Sequence, residues 1–303
     1  MQPPSRAAGY RAWGIAFALA GVVAFSFRPI LIKLAYAAYP VAPVTLLFLR
    51  MAIALPFFAA MAWWLRARQP LLTRRDWAGM AGLGFIGYYM ASFLDFIGLQ
   101  WVGAGLGRLI LFLYPTLVLL LSLVFLKKRP SRRQLAALAL SYAGIALVVS
   151  NRFGGHAEGG LFLLGVSLVF GASLCYAIYL VAGSQMVQRV GSMRFTAYTM
   201  IVATLPAVAQ FFVLEPMSAL ELPGEVWWYA SVMATFSTVL PVFLVAEALK
   251  RIGANQFALI GAVGPVTTAV AGAIGLEEPL NWLQAAGGAL VIFGVLLVST
   301  KRS

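Results

Sequence analysis

Ten apolar runs, most near the length that carries a helix across a bilayer, follow one another through the chain with only short polar joints between them. A helix needs about 20 apolar residues to cross the hydrocarbon. Inside it every backbone N–H and C=O must find a partner within the protein, so runs of this kind fold as helices. They cover approximately 13–34, 43–65, 77–99, 102–126, 135–150, 161–181, 195–213, 226–249, 254–276 and 283–298, the fifth and tenth being the shortest. Nothing between them is long enough for a soluble domain. Charged residues make up only 10% of the chain and hydrophobic ones 62%, against about 25% charged in soluble domains. The expected fold class is therefore an all-α integral membrane protein of ten transmembrane helices.

The net charge of +13 would suggest nucleic acid in a soluble protein, but its placement gives it another meaning. Lys and Arg collect in alternate joints: Arg6 and Arg11, then Arg66 to Arg75, Lys127 to Arg133, Arg189 and Arg194, Lys250 and Arg251, and Lys301 and Arg302. The other joints hold only Lys33 and Arg152, while Glu158, Glu215, Glu221, Glu225, Glu277 and Glu278 fall among them. Cytoplasmic loops carry the excess of Lys and Arg, so both termini are expected in the cytoplasm and no nucleic-acid partner is implied. Arg6 and Arg11 ahead of the first run could imitate a cleaved signal peptide, but Arg28 and Lys33 interrupt the stretch before the small residues near Pro40, and the segment is expected to be retained. The single cysteine, Cys175, allows no intrachain disulfide.

One stretch is written twice. GLQWVGAGLGRLILFLYP (98–115) and ALKRIGANQFALIGAVGP (248–265) align without gaps, sharing Gly103/Gly253, Ala104/Ala254, Leu109/Leu259 and Pro115/Pro265 at a constant separation of 150. Downstream, AGIALVVS (143–150) is echoed by FGVLLVS (293–299). A unit of five helices is odd-numbered, so its second copy must enter the membrane upside down. The reversal of charge from LKKRP after the fourth run to LEEP after the ninth fits that inversion. Residues 1–150 and 151–303 are expected to be the two repeats, an arrangement typical of secondary transporters.

On these features the chain resembles the drug/metabolite transporter superfamily, in the branch built from two EamA-type halves. The resemblance covers nearly the whole chain. It is carried by VTLLFLRMAIALP (44–56) with Arg50, by the two stretches above, and by RRQLAALALSYAGIALVV (132–149) and LNWLQAAGGALVIFGVLLV (280–298). The family often has an acid after its fourth helix, where this chain has LKKRP, so no role for that acid carries over. What the resemblance implies is a ten-helix carrier of small metabolites, with amino-acid exporters of the YddG type nearest.

Apart from Lys33 at the edge of the first span, five charged residues fall inside the expected spans: Arg28, Arg50, Asp95, Arg108 and Glu247. Each would cost about 2.5–3.5 kcal/mol at mid-bilayer if it faced lipid, so each should face a cavity or a partner. Asp95 and Arg108 lie at similar distances from the turn at Trp101 and are expected to pair, either as part of a substrate route or to hold the hairpin. Together with Arg28 and Arg50 they leave an excess of positive charge that could receive a carboxylate. Pro29 disturbs the helix beside Arg28, as a simple kink or by freeing carbonyls for a ligand. Phe85, Tyr88, Tyr89, Ser92, Phe93 and Phe96 recur at spacings of three and four, expected to form one helix face that packs or lines a route. Tyr114, Tyr176 and Tyr179 are weaker candidates of the same kind. Gly103 and Gly107 form a close-packing GxxxG, and Gly107, Pro115, Pro241 and Pro265 are hinge candidates. Glu247 sits about one turn from Lys250 and Arg251, where cytoplasmic snorkelling or a helix-end salt bridge would occupy it. No carboxylate would then remain to carry protons, and a facilitator is expected.

The expected function is secondary transport in a bacterial cytoplasmic membrane, exporting small metabolites, foremost neutral or aromatic amino acids, by alternating access. A small-molecule substrate and membrane lipid are the expected partners, a monomer suffices, and neither cofactor nor metal is implied. Two alternatives remain. A nucleotide-sugar or phosphosugar carrier would want several cations meeting at the midplane. A membrane-embedded enzyme would want a nucleophile elbow or an HExxH pattern, whereas the one histidine, His156, falls in a loop.

Overall fold

The computed structural model describes residues 4–66, 72–126, 159–261, 263–276 and 282–299, with isolated positions between 132 and 144. Lys127 to Arg129, most of the fifth expected span, Arg152, His156, Glu158, Glu277 and Glu278 lie outside the described residues. Every regular element among those described is helical. In chain order they are α1 (Pro4–Ser26), α2 (Arg28–Ala38), α3 (Pro43–Arg66), α4 (Arg74–Gly84), a π-helical segment (Phe85–Met90), α5 (Ala91–Gly98), α6 (Ala104–Leu111) and α7 (Tyr114–Leu126). Then come α8 (Gly159–Val190), α9 (Ser192–Leu214), α10 (Gly224–Ala234), a second π segment (Thr235–Val239), α11 (Leu240–Ile260), α12 (Val263–Gly275) and α13 (Trp282–Ser299).

Seven of the described stretches are long and apolar enough to cross a membrane: Gly9–Ala38, Pro43–Leu65, Arg74–Gly98, Ala104–Ser122, Gly160–Val190, Ser192–Leu214 and Gly224–Gly253. These answer to the first four expected spans and to the sixth, seventh and eighth. The ninth is interrupted: the chain breaks near Gly261 and restarts as the short apolar α12. Large apolar side chains point outward as well as inward, Val213 being 81% and Ile274 80% exposed. Helices that are apolar all round belong in hydrocarbon, and the chain is a multi-pass membrane protein.

The most extensive packing joins distant parts of the chain, α1 with α11, α3 with α9 and α5 with α8. Helices gain little from apolar burial inside lipid and instead approach closely through small residues. At the α5–α8 crossing Gly98 faces Gly165; a Cβ on the first would lie 2.9 Å from the second's carbonyl oxygen, and the reciprocal distance is 3.0 Å. At the start of α4, Thr73 and Asp76 form a capping box that satisfies free amides. Arg189 at the end of α8 reaches the same carboxylate at 3.0 Å.

The recurrence seen in the letters extends to local geometry. α4 and α10, the two π segments, and the glycines opening the next helical piece all start 150 residues apart. Gly103 caps α6 in extended geometry, while Gly253 takes φ +73° inside α11, a conformation that suits glycine. Pro115 explains the break between α6 and α7. It lacks the amide that would bond the Leu111 carbonyl, and that carbonyl instead accepts the Ser173 hydroxyl of α8 at 2.8 Å.

Candidate functional site

The first transmembrane stretch breaks at Phe27, where Pro29 begins a new helix. Carbonyls around the break are taken up by hydroxyls from far along the chain. Ser237 of the second π segment donates to the Ala24 oxygen at 3.1 Å, and Thr268 of α12 donates to the Ser26 oxygen at 2.9 Å. This favours the kink over a ligand for those two carbonyls. The break turns Arg28 toward α5, where its Nη2 lies 2.7 Å from Asp95 Oδ2.

Asp95 therefore pairs with Arg28 and not with Arg108, which corrects the hairpin expectation. Equal distance from a turn sets depth but not direction. α6 directs Arg108 away from α5, toward the helix break and α12. There its Nη2 donates to Ser26 Oγ at 3.4 Å, and its guanidinium lies so near Gly264 that an added Cβ would come within 2.7 Å of Nη2.

Between these elements is a pocket with about 560 Å³ of empty space, its open mouth included. Arg28, Tyr88, Ser92, Arg108 and Tyr114 line it, as does Tyr176, and Phe25 and Phe257 supply apolar wall. Tyr114 meets Tyr176 edge to face at 5.1 Å. Tyr179 stands behind, its hydroxyl 3.1 Å from that of Tyr88. Val22, Phe25 and Phe257 were not singled out by sequence, since an apolar residue in an apolar helix carries no local mark of facing a cavity.

The expected single aromatic face is divided. Tyr88 and Ser92 face the pocket, whereas Phe85, Tyr89 and Phe93 form a separate ladder with centroid distances of 5.3 and 6.1 Å. Tyr89 bonds Gln210 on α9 at 3.0 Å, and Phe96 lies 5.2 Å beneath the Arg50 guanidinium. The residues fall on neighbouring stripes, and the wider π turn at Phe85–Met90 changes their angular register. Arg50 is 1% exposed, and its one hydrogen-bond contact among the described residues is to Met51 Sδ at 3.8 Å. It does not line the pocket.

Glu247 does not line the pocket. It pairs with Arg251 at 2.5 Å and accepts the Ser192 hydroxyl, while Arg251 lies 4.7 Å over the Phe17 ring. The helix-end partner is thus Arg251. Of the hinge candidates, Pro115 and Pro265 sit just after helix breaks, Pro241 follows the second π segment, and Gly107 packs on the Leu99 side chain. No group of three His, Cys, Asp or Glu side chains that could hold a metal occurs among the described residues.

Residues 12–150 and 163–300 match the EamA-like transporter family. The chain belongs to that family. With it, this EamA-like transporter falls in the drug/metabolite transporter superfamily. It is 31% identical over 290 residues to the uncharacterized transporter YcbK of Bacillus subtilis (strain 168), covering 92% of this chain and 90% of YcbK. The threonine/homoserine exporter RhtA of Escherichia coli (strain K12) is 31% identical over 147 residues, 46% of the EamA-like transporter and 45% of RhtA. A crystal structure sharing 18% identity superposes with a TM-score of 0.68, covering 94% of this chain and 96% of the other, a likeness of fold alone.

Proposed function

We propose that this EamA-like transporter exports small metabolites, foremost neutral and aromatic amino acids, across a bacterial inner membrane by alternating access, and catalyses no reaction. Residues 1–150 and 151–303 are two inverted five-helix halves with both termini in the cytoplasm. The substrate occupies the pocket of Arg28, Arg108, Tyr88, Ser92, Tyr114 and Tyr176; that pocket is the observation carrying the proposal, since it joins cations to aromatic walls inside the membrane. The partial similarity to RhtA supports an amino-acid substrate. The breaks before Pro115 and Pro265, the π segment before Pro241, and Gly107 are where the helices bend between inward and outward states, and one chain suffices.

Purified protein in liposomes should show counterflow of labelled phenylalanine or threonine. Flux down the substrate gradient should persist with the pH gradient collapsed and in Glu247→Gln, because that carboxylate is already held by Arg251. Absence of counterflow for all amino acids would remove the proposal. A phosphosugar carrier is the second reading, favoured by Arg28 and Arg108 meeting in one pocket with Arg50 nearby; counterflow of labelled sugar phosphate would select it. Topology is tested separately. Cysteines at Arg129 and Glu221, on a Cys175→Ala background, should be labelled only from inside and only from outside, respectively, and external labelling at Arg129 would reverse the assignment.

A further inference from the structure

Charge in the pocket is one-sided. Two guanidinium groups reach it, and Asp95 is the carboxylate near them. Arg28 already holds Asp95, whose side chain is 4% exposed. Arg108 is 8% exposed, its Nε has no partner, and its one hydrogen bond among the described residues is the 3.4 Å contact to Ser26. Gly264 packs against its planar group so closely that a side chain at that position would collide with Nη2, Nε and Cζ. A buried guanidinium with unfilled donors is best satisfied by a group presenting two anionic oxygens.

Among the described residues an ammonium group finds no free carboxylate in the pocket. Asp95 is engaged, and Asp76 and Glu247 are bound to Arg189 and Arg251 in other networks. The remaining polar wall is the phenols of Tyr88, Tyr114 and Tyr176 and the hydroxyl of Ser92. These attract a cation only weakly beside two arginines.

We infer that Arg108 takes the substrate's carboxylate and that the substrate's amino group is dispensable: the pocket accepts carboxylic acids lacking the amine and rejects amines lacking the carboxylate. The inference rests on the pocket being the substrate site of the proposed transporter, and names the chemistry that site selects.

Thermal unfolding of the purified full chain in detergent tests it with two probe series. One is L-phenylalanine, 3-phenylpropanoate and phenethylamine; the other is L-threonine, 3-hydroxybutanoate and 1-amino-2-propanol. In at least one series the amino acid and the plain acid should raise the unfolding midpoint, and the amine should not. Arg108→Gln should weaken apparent affinity for the plain acid by about tenfold or more, while Arg108→Lys retains part of it. Gly264→Ala keeps the charge but displaces the guanidinium, and should weaken the plain acid similarly; it serves if Arg108→Gln does not fold. Stabilisation by the amine equal to that by the acid, stabilisation by the amino acid alone, no stabilisation in either series, or unchanged affinity in the variants would each overturn the inference. Counterflow judges transport independently. Acid binding without counterflow removes only the transport proposal, and amino-acid counterflow without acid binding removes only this one.

Discussion

Asp95→Asn is expected to lower the yield of folded protein steeply, because it leaves the Arg28 guanidinium in the membrane interior without its 2.7 Å partner. Removing one member of a buried ion pair typically costs about 3–5 kcal/mol, a large part of the stability of most proteins. Replacing both members by apolar residues, Arg28→Met with Asp95→Leu, should recover much of the loss, since no charge is then stranded. Exchanging the pair, Arg28→Asp with Asp95→Arg, should also recover more than either single change. The exchange of Asp95 with Arg108 should not, as Arg108 bonds Ser26 instead. Size-exclusion profiles and unfolding midpoints in detergent read these effects. An Asp95→Asn protein as stable as the parent would mean that the pair is absent.

Gly98→Val should be comparably disruptive for a steric reason. The first atom added at Gly98 would meet Val169 Cγ2 at 2.7 Å and the Gly165 carbonyl at 2.9 Å, both closer than van der Waals contact. Backbone cannot withdraw as a side-chain tip can, so α5 must separate from α8. Overpacking of this kind costs about 1–3 kcal/mol, occasionally more, and here it also undoes a long helix crossing. Gly82→Val, with nothing within 4 Å of an added Cβ, is the control and should be nearly silent apart from helix propensity. A Gly98→Val midpoint equal to that of Gly82→Val would refute the close crossing.

The sequence was most informative where membrane physics acts on long segments. Bilayer thickness sets the length of an apolar run, so seven of the ten expected spans appear among the described helices with ends shifted by at most nine residues. The separation of 150 between Gly103 and Gly253 was visible because glycine marks special backbone geometry, and the structure uses both at the start of a helical piece. The partner of Asp95 was not visible. It depends on the direction in which α2 restarts after Phe27, a consequence of its packing against α10, α12 and α6 that no spacing encodes. The divided aromatic face failed for a related reason: periodicity assumes an unbroken α-helix, and the π turn over Phe85–Met90 violates it. Arg28, Tyr88, Ser92, Arg108 and Tyr114 were found because polar groups in an apolar span stand out. Arg50, chosen on the same ground, is enclosed between Phe96 and Met51 and stays clear of the pocket.

The hydroxyl that Thr268 donates to the Ser26 carbonyl spans 242 residues of chain, and this has a consequence for biosynthesis. A ribosome adding about 5–20 residues per second makes the acceptor roughly 12–50 s before the donor exists. During that interval the first broken helix must stay inserted with the Ser26 carbonyl lacking its final partner, in contact with the translocation machinery, water or lipid headgroups. The membrane segment around Ser26 is thus completed by one made 242 residues later, and a ribosome stalled before Thr268 would leave that helix break unfinished.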